Sequence, residues 1–257
     1  MQLSPGGPLV VLLLALAACA PPRAAPLPPG PGVSVLTYNV NFERFDPATV
    51  EAIAAVDADV VFLQETTREW EIAIRARLAR VYPTMEFRHH DPDGGQAVLA
   101  RGAVATHDRR TSPVGSFPAW CVVVDTAVGP LQVLHVHLHP PLDERGLISG
   151  YFTTGGLRRA EMEDYLGCFS TPPDLIVGDF NEEEGDAVDL IAAQGLLDAA
   201  AAFPPPRRTW EWDHWSGQLV GRPDHVFHAA ALVAASVAVR EAGASDHRPL
   251  TVELRRR

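Results

Sequence analysis

The stretch Leu175-Ile176-Val177-Gly178-Asp179-Phe180-Asn181 is an apolar run that stops on a glycine and then presents an acid and an amide. Three strongly apolar residues before Gly178 predict a buried strand, and Asp179 and Asn181 fall where that strand surfaces. Strand exits are where a rigid sheet offers chemical groups to solvent. Three further clusters share this character: Thr37-Tyr38-Asn39, Leu63-Gln64-Glu65 and Ser245-Asp246-His247. Carboxylate and amide oxygens are the ligands a hard cation such as Mg²⁺ prefers. Any one of these clusters is what a surfacing strand ordinarily shows; the order of all four along the chain carries the information.

Working outward, apolar and β-branched runs bounded by Gly, Pro and Asp predict strands over Val33–Val40, Val60–Gln64, Gln96–Arg101, Cys121–Thr126, Leu131–Leu138, Leu175–Val177, His225–Phe227, Leu232–Arg240 and Leu250–Leu254. Helical spacing marks Ala48–Val56, Thr67–Val81, Leu157–Cys168 and Ala187–Ala193, with Asp46-Pro47 and Asp186 as starts. So many strands with so few helices between them fit an α/β domain of two packed sheets covered by helices, rather than one doubly wound parallel sheet.

The charge is carried by 32 acidic residues against 21 basic ones, all Arg, for a net charge of −11. That excludes a polybasic nucleic-acid or lipid-headgroup binder and makes any phosphate substrate depend on a bound cation or a local Arg cluster. Residues 1–18 read as a signal peptide with the apolar core Val10–Ala18, too short to span a bilayer. Leu16-Ala17-Ala18-Cys19 resembles the bacterial lipobox, which implies lipidation at Cys19, although no basic residue precedes the apolar core. Cleavage after Ala15-Leu16-Ala17 is the alternative. Residues 19–32, rich in Pro, read as an extended tether, and residues 33–257 as the globular domain. This places the protein outside the cytoplasm, on a periplasmic or cell-surface face and anchored to a membrane by N-terminal lipid. Cys121 and Cys168 are open to pairing in an oxidising compartment or to burial as free thiols.

Seven colinear segments resemble the endonuclease/exonuclease/phosphatase superfamily: Val35-Leu36-Thr37-Tyr38-Asn39-Val40, Asp59-Val60-Val61-Phe62-Leu63-Gln64-Glu65, Gly95-Gln96-Ala97-Val98-Leu99-Ala100-Arg101, Val136-His137-Leu138, the stretch quoted first, Arg222-Pro223-Asp224-His225-Val226-Phe227 and Ser245-Asp246-His247-Arg248-Pro249. The resemblance spans Val33 to Leu254. It implies a four-layer sandwich of two mixed sheets flanked by helices, and a metal-dependent phosphoesterase site at one edge. By family position, Glu65 is the principal Mg²⁺ ligand, assisted by Asn39 and Asp246, with Mn²⁺ a substitute. Asp179 orients or deprotonates the attacking water, and Asn181 holds the phosphate or the Asp in place. His247 contacts the scissile phosphate with Asp224 as its carboxylate partner, and His137 is the second imidazole, on the leaving-group side. The implied reaction is in-line attack of water on a phosphodiester or phosphomonoester, the implied substrates are nucleic acid, nucleotide or phospholipid head groups, and the protein is expected to act as a monomer.

Departures from the family pattern open other readings. His135 stands where the family has Asn, and His135, His137 and His139 share one face of a strand, which invites a zinc hydrolase. That alternative leaves the four strand-end clusters without a role. A non-catalytic surface lipoprotein using the fold as a binding module is the other alternative. Pro223 predicts a strand start at Asp224. Residues 210–215, Trp-Glu-Trp-Asp-His-Trp, read as an aromatic loop open to base stacking, to lipid insertion or to packing on the sheet. The insertion from Pro140 to Gly156 reads as a substrate-facing loop. Arg158 and Arg159 read as surface residues, with one available to phosphate, and His89-His90 and Glu182-Glu183-Glu184 as solvated surface.

Overall fold

The computed structural model describes residues 27–90, 94–205, 207–214 and 217–257. The leader, Cys19 and most of the tether lie outside these residues. In chain order the elements are β1 (Gly32–Asn39), α1 (Pro47–Val56), β2 (Val60–Thr66), α2 (Arg68–Leu78), β3 (Thr84–Arg88), β4 (Gly95–Ala100), β5 (Val104–Arg110), β6 (Ala119–Val124), β7 (Leu131–His137), α3 (Leu147–Thr153), α4 (Gly155–Leu166), β8 (Leu175–Asp179), α5 (Asp186–Ala193), β9 (Leu197–Asp198), β10 (Trp210–His214), β11 (Gly217–Gly221), β12 (Asp224–His228), β13 (Leu232–Val239) and β14 (Leu250–Arg256). Two six-stranded mixed sheets form, in the orders β13-β14-β1-β2-β4-β3 and β5-β6-β7-β8-β12-β9.

Alternation along the strands builds the layers. In β1, Val33 and Val35 point into the cluster between the sheets with Phe62, Trp120 and Val177, while Leu36 and Tyr38 point outward to pack under α1 and α2 with Ile53 and Ile74. In β7, Val133 faces the inter-sheet core and Leu134 and Val136 face α4 and α5, against Met162, Tyr165 and Ile191. The period of two therefore gives each sheet one face for its partner sheet and one for helices. The four-layer sandwich is the observed fold.

Local chemistry sets the helix ends. Asp46 caps α1, its carboxylate accepting from Ala48 N at 2.7 Å with Pro47 in the first turn. Thr67 caps α2, which carries Glu69 and Glu71 in its first turn and Arg75 and Arg77 in its last, matching the helix dipole. α5 starts at Asp186, as expected, but its cap comes from another residue. Asp186 is the first helical residue, and the free N–H groups of Ala187 and Val188 are taken by the Glu182 carboxylate at 2.9 and 3.0 Å.

That contact corrects two further readings. Glu182 is buried, paired with the equally buried Arg158 at 2.8 Å, so neither is a solvated group. Arg158 also donates to Thr154 Oγ1 at the start of α4, and its pair with Glu182 ties α4 to the loop after β8. Arg159 pairs with Glu163 on the surface. His89 and His90 are half-buried, held by Glu71 at 2.7 Å and by the Ser116 carbonyl at 3.1 Å. Cys121 and Cys168 are paired in a disulfide between β6 and the segment just after α4. Residues 210–214 are not a loop but the first strand of the hairpin β10–β11, and part of the 140–156 insertion is helical. No helix among the described residues is long and apolar enough to cross a membrane.

Candidate active site

Topology gathers the strand-end residues at one edge. β1 and β2 run parallel in one sheet, β7 and β8 parallel in the other, so Asn39, Glu65, His137 and Asp179 all lie at C-terminal strand ends. The antiparallel β12 begins at Asp224, whose register partner is Asp179, and the segment leading into β14 delivers Asp246 and His247. His137 is the register partner of Asp179 on the other side.

Asp179 is the hub. Its Oδ2 accepts from Asn39 Nδ2 at 3.0 Å and lies 3.7 Å from His137 Nε2 and 3.6 Å from His247 Nε2, while its Oδ1 accepts the Asn181 backbone N–H at 2.8 Å. Asn181 adopts φ 53°, and its side chain donates to the Leu138 carbonyl at 2.8 Å, so it positions Asp179 through its backbone. His247 Nδ1 lies 2.9 Å from Asp224 Oδ2. Burial alone would lower the His247 pKa; the carboxylates of Asp224, Asp179 and Asp246 outweigh it and push it up to about 10. His247 is an imidazolium at neutral pH. His137 stacks on Phe117, the rings 3.8 Å apart.

Glu65 is placed by backbone strain. It sits at a bulge in the β2–β4 ladder with φ 61°, and a Cβ on Gly94 would lie 2.7 Å from its Cα, so the neighbouring backbone must be bare. Its carboxylate accepts from Asn39 Nδ2 at 2.8 Å and from Phe42 N at 3.0 Å. Burial nonetheless pushes its pKa up to about 7. Asp246 is also desolvated, but the charge of His247 and hydrogen bonds from Asn41 and Trp210 hold its carboxyl below the usual range.

The donor set fits a divalent cation. Glu65, Asp179, Asp224 and Asp246 crowd four carboxylates around two imidazoles, and Asp224 Oδ1 is buried without a hydrogen-bond partner. Ligand atoms of Asp179, Asp224 and His247 lie within 4.8 Å of one another. His247 Nδ1 is already engaged by Asp224, and a hard ion prefers oxygen ligands such as those of Glu65, Asn39 and Asp246. The three imidazoles of the zinc reading do not converge. His135 is fully buried on Gln64 at 2.7 Å, His139 bonds Ser116 Oγ at 2.8 Å, and only His137 faces the site.

Sequence reading missed two supports. Asn41, at φ 65°, donates to Asp246 Oδ1 at 2.9 Å and accepts the Trp70 indole N–H on its carbonyl at 3.2 Å. Trp210 donates its indole N–H to Asp246 Oδ2 at 3.0 Å, fastening the β10–β11 hairpin to the site. Asn41 had a signal in its residue type, since amides tolerate positive φ; Trp210 stood out only as part of the aromatic run 210–215, with nothing to point to Asp246.

A sequence model described as the Endonuclease/Exonuclease/phosphatase family matches residues 36–247, from β1 through His247. The chain belongs to that family. Solved structures of similar fold include TDP2 from D. rerio complexed with single strand DNA product, at TM-score 0.65 and 16% identity over 87% of this chain and 98% of that one. An endonuclease/exonuclease/phosphatase family protein from Leptotrichia buccalis C-1013-b matches at TM-score 0.65 and 16% identity over 86% and 99%. The endonuclease/exonuclease/phosphatase from Beutenbergia cavernae DSM 12333 matches at 0.59 and 17% over 88% and 72%. No curated protein sequence matches the chain. Members of the endonuclease/exonuclease/phosphatase family are hydrolytic phosphoesterases, and in this chain acids, amides and imidazoles converge at one sheet edge.

Proposed function

We propose that the chain is a Mg²⁺-dependent phosphodiesterase, with Mn²⁺ accepted in its place. It acts as a monomer outside the cytoplasm, with residues 33–257 as its catalytic domain tethered by a lipid on Cys19. The observation that carries the reading is the convergence of Asn39, His137 and His247 on one oxygen of Asp179. Asp179 takes a proton from the attacking water. The water oxygen bonds to phosphorus, one phosphorus–oxygen ester bond breaks, and the proton ends on the departing alcohol or in solvent. The imidazolium of His247, fixed by Asp224, faces the phosphoryl oxygens as charge builds on them. Asn39 and the Asn181 backbone keep Asp179 in place. Glu65, Asn39 and Asp246 would hold the metal, which when bound supplies Lewis-acid stabilisation of the phosphoryl oxygens.

The D. rerio neighbour, complexed with single strand DNA product, supports nucleic acid as one substrate class; the lipobox-like leader supports a phospholipid. A panel of single-stranded DNA, nucleotides, sphingomyelin, glycerophospholipids and inositol phosphates, each with Mg²⁺ and with chelator, tests the reading. Hydrolysis of at least one diester that chelator abolishes, and that Asp179→Ala removes, is the expected result. Silence across the panel would favour the binding module. Incorporation of labelled palmitate, lost in Cys19→Ala, tests the anchor.

A further inference from the structure

The cavity that opens from Asp179 and His247 encloses about 640 Å³, the size of a small-molecule pocket. Between His139 and Thr154 the chain contributes Pro140, Pro141, Leu142, Leu147, Tyr151 and Phe152 to its lining, and none is charged. Three of these are left in water: Leu142 is 51% exposed, Tyr151 53% and Phe152 80%. A lone exposed apolar side chain needs no explanation, but three on one short segment that borders a reactive centre make a patch. Leu219 and Val220 of the hairpin extend the apolar lining.

Charge argues in the same direction. The lining carries the carboxylates of Glu65, Asp179, Glu183 and Asp246, and Glu182 already paired with Arg158, against one guanidinium, Arg222, which Asp198 already holds at 2.8 Å. A polynucleotide brings a phosphate with every nucleotide and needs cations along its track. Among the described residues this cavity offers no unpaired cationic side chain beyond the reacting centre. It offers a place for one phosphate and an apolar surface beside it.

We propose that the cavity selects an amphiphilic phosphodiester, with a single phosphate at Asp179 and His247 and an alkyl chain seated along Leu142, Leu147, Tyr151, Phe152 and Leu219. This rests on the phosphodiesterase reading and names its substrate class. Hexyl 4-nitrophenyl phosphate and methyl 4-nitrophenyl phosphate share one charge and one leaving group and differ only in the chain, so they isolate this contact. Each buried methylene multiplies affinity roughly fourfold, so kcat/KM for the hexyl ester exceeds that for the methyl ester by about 100-fold once three or four methylenes are covered. The double variant Leu142→Ser, Phe152→Ser lowers that ratio by about tenfold or more. Ile72→Ser, an exposed apolar residue on α2, leaves the ratio as in the wild type. Equal kcat/KM for the two esters would overturn the proposal while leaving the catalytic reading intact. So would faster cleavage of single-stranded oligothymidylate than of the hexyl ester, unaffected by the double variant. Calorimetry with hexyl phosphate and methyl phosphate separates the other case. A clear preference for hexyl phosphate, lost in the double variant, sustains the apolar seat even where neither ester is hydrolysed and the catalytic reading fails.

Discussion

His247 directs Nδ1 at Asp224 Oδ2, 2.9 Å away, and Nε2 at Asp179 Oδ2, 3.6 Å away, so one imidazolium stands between two buried carboxylates. The first contact fixes the ring; the second aims it at the hub of the site. Replacing Asp224 by Asn keeps the size of the side chain but removes the charge that holds the proton on His247. Turnover of bis(4-nitrophenyl) phosphate is expected to fall by roughly 10²–10⁴-fold, as for loss of one acid–base group, with an unchanged far-ultraviolet circular dichroism spectrum. Activity near that of the wild type would remove His247 from the mechanism.

Metal removal gives the second prediction. Dialysis against chelator abolishes hydrolysis, and added Mg²⁺ restores it. The apo protein melts lower, because a ligand at 100 times its Kd stabilises the folded state by about 2.7 kcal/mol. Glu65→Gln raises the Mg²⁺ concentration needed for half-maximal stabilisation in a thermal melt. Stoichiometric zinc that survives dialysis, measured by elemental analysis, would reject this assignment.

The third concerns the Arg158–Glu182 pair. Removing one member of a buried ion pair costs about 3–5 kcal/mol, because the other is left desolvated and alone. Arg158→Met should lower urea stability by that order. Adding Glu182→Leu should recover only part of it, since the Ala187 and Val188 amides then lose their acceptor. Full recovery would show that the cap contributes nothing.

His135 sets the fourth, on pH. Complete burial, with the neighbouring His137, lowers its pKa to about 3, against about 6.5 in the unfolded chain. Between those values the unfolded state binds the extra proton, so stability falls as pH drops below 6.5 and continues to fall to about 3. At pH 5 this one group accounts for about 2 kcal/mol of lost stability. His135→Asn should therefore narrow the difference between urea midpoints at pH 7 and pH 5. An unchanged difference would show that His135 is not the titrating group.

What the sequence disclosed and what it hid divide along physical lines. The strands that carry the site, β1, β2, β7, β8 and β12, are buried apolar runs ended by polar clusters, so pattern alone locates them. β5 was missed because it is an edge strand most of whose residues are polar, with Thr106, His107 and Arg109 exposed. β3 is five residues with Met, Glu, Phe and Arg, too short for alternation to stand out. Glu182 read as solvated because its burial depends on Arg158, 24 positions earlier, and no local pattern reports a distant partner. The hairpin β10–β11 looked like a loop for the same reason: it is fastened by distant partners, the Trp210 indole and the Glu211 backbone on Asp246 and the Glu211 carboxylate on Arg248.

The groups around Asp179 come from the ends of strands in two docked sheets, whereas the apolar lining of the cavity comes mainly from the α3 segment and from a hairpin that joins neither sheet. Reaction and selectivity thus reside in largely different parts of the chain, joined where Trp210 of the hairpin holds Asp246. Descent with modification can redraw the range of esters accepted by reshaping two appendages while the reacting centre is inherited intact, and grafting those appendages between relatives becomes a practical route to new specificities.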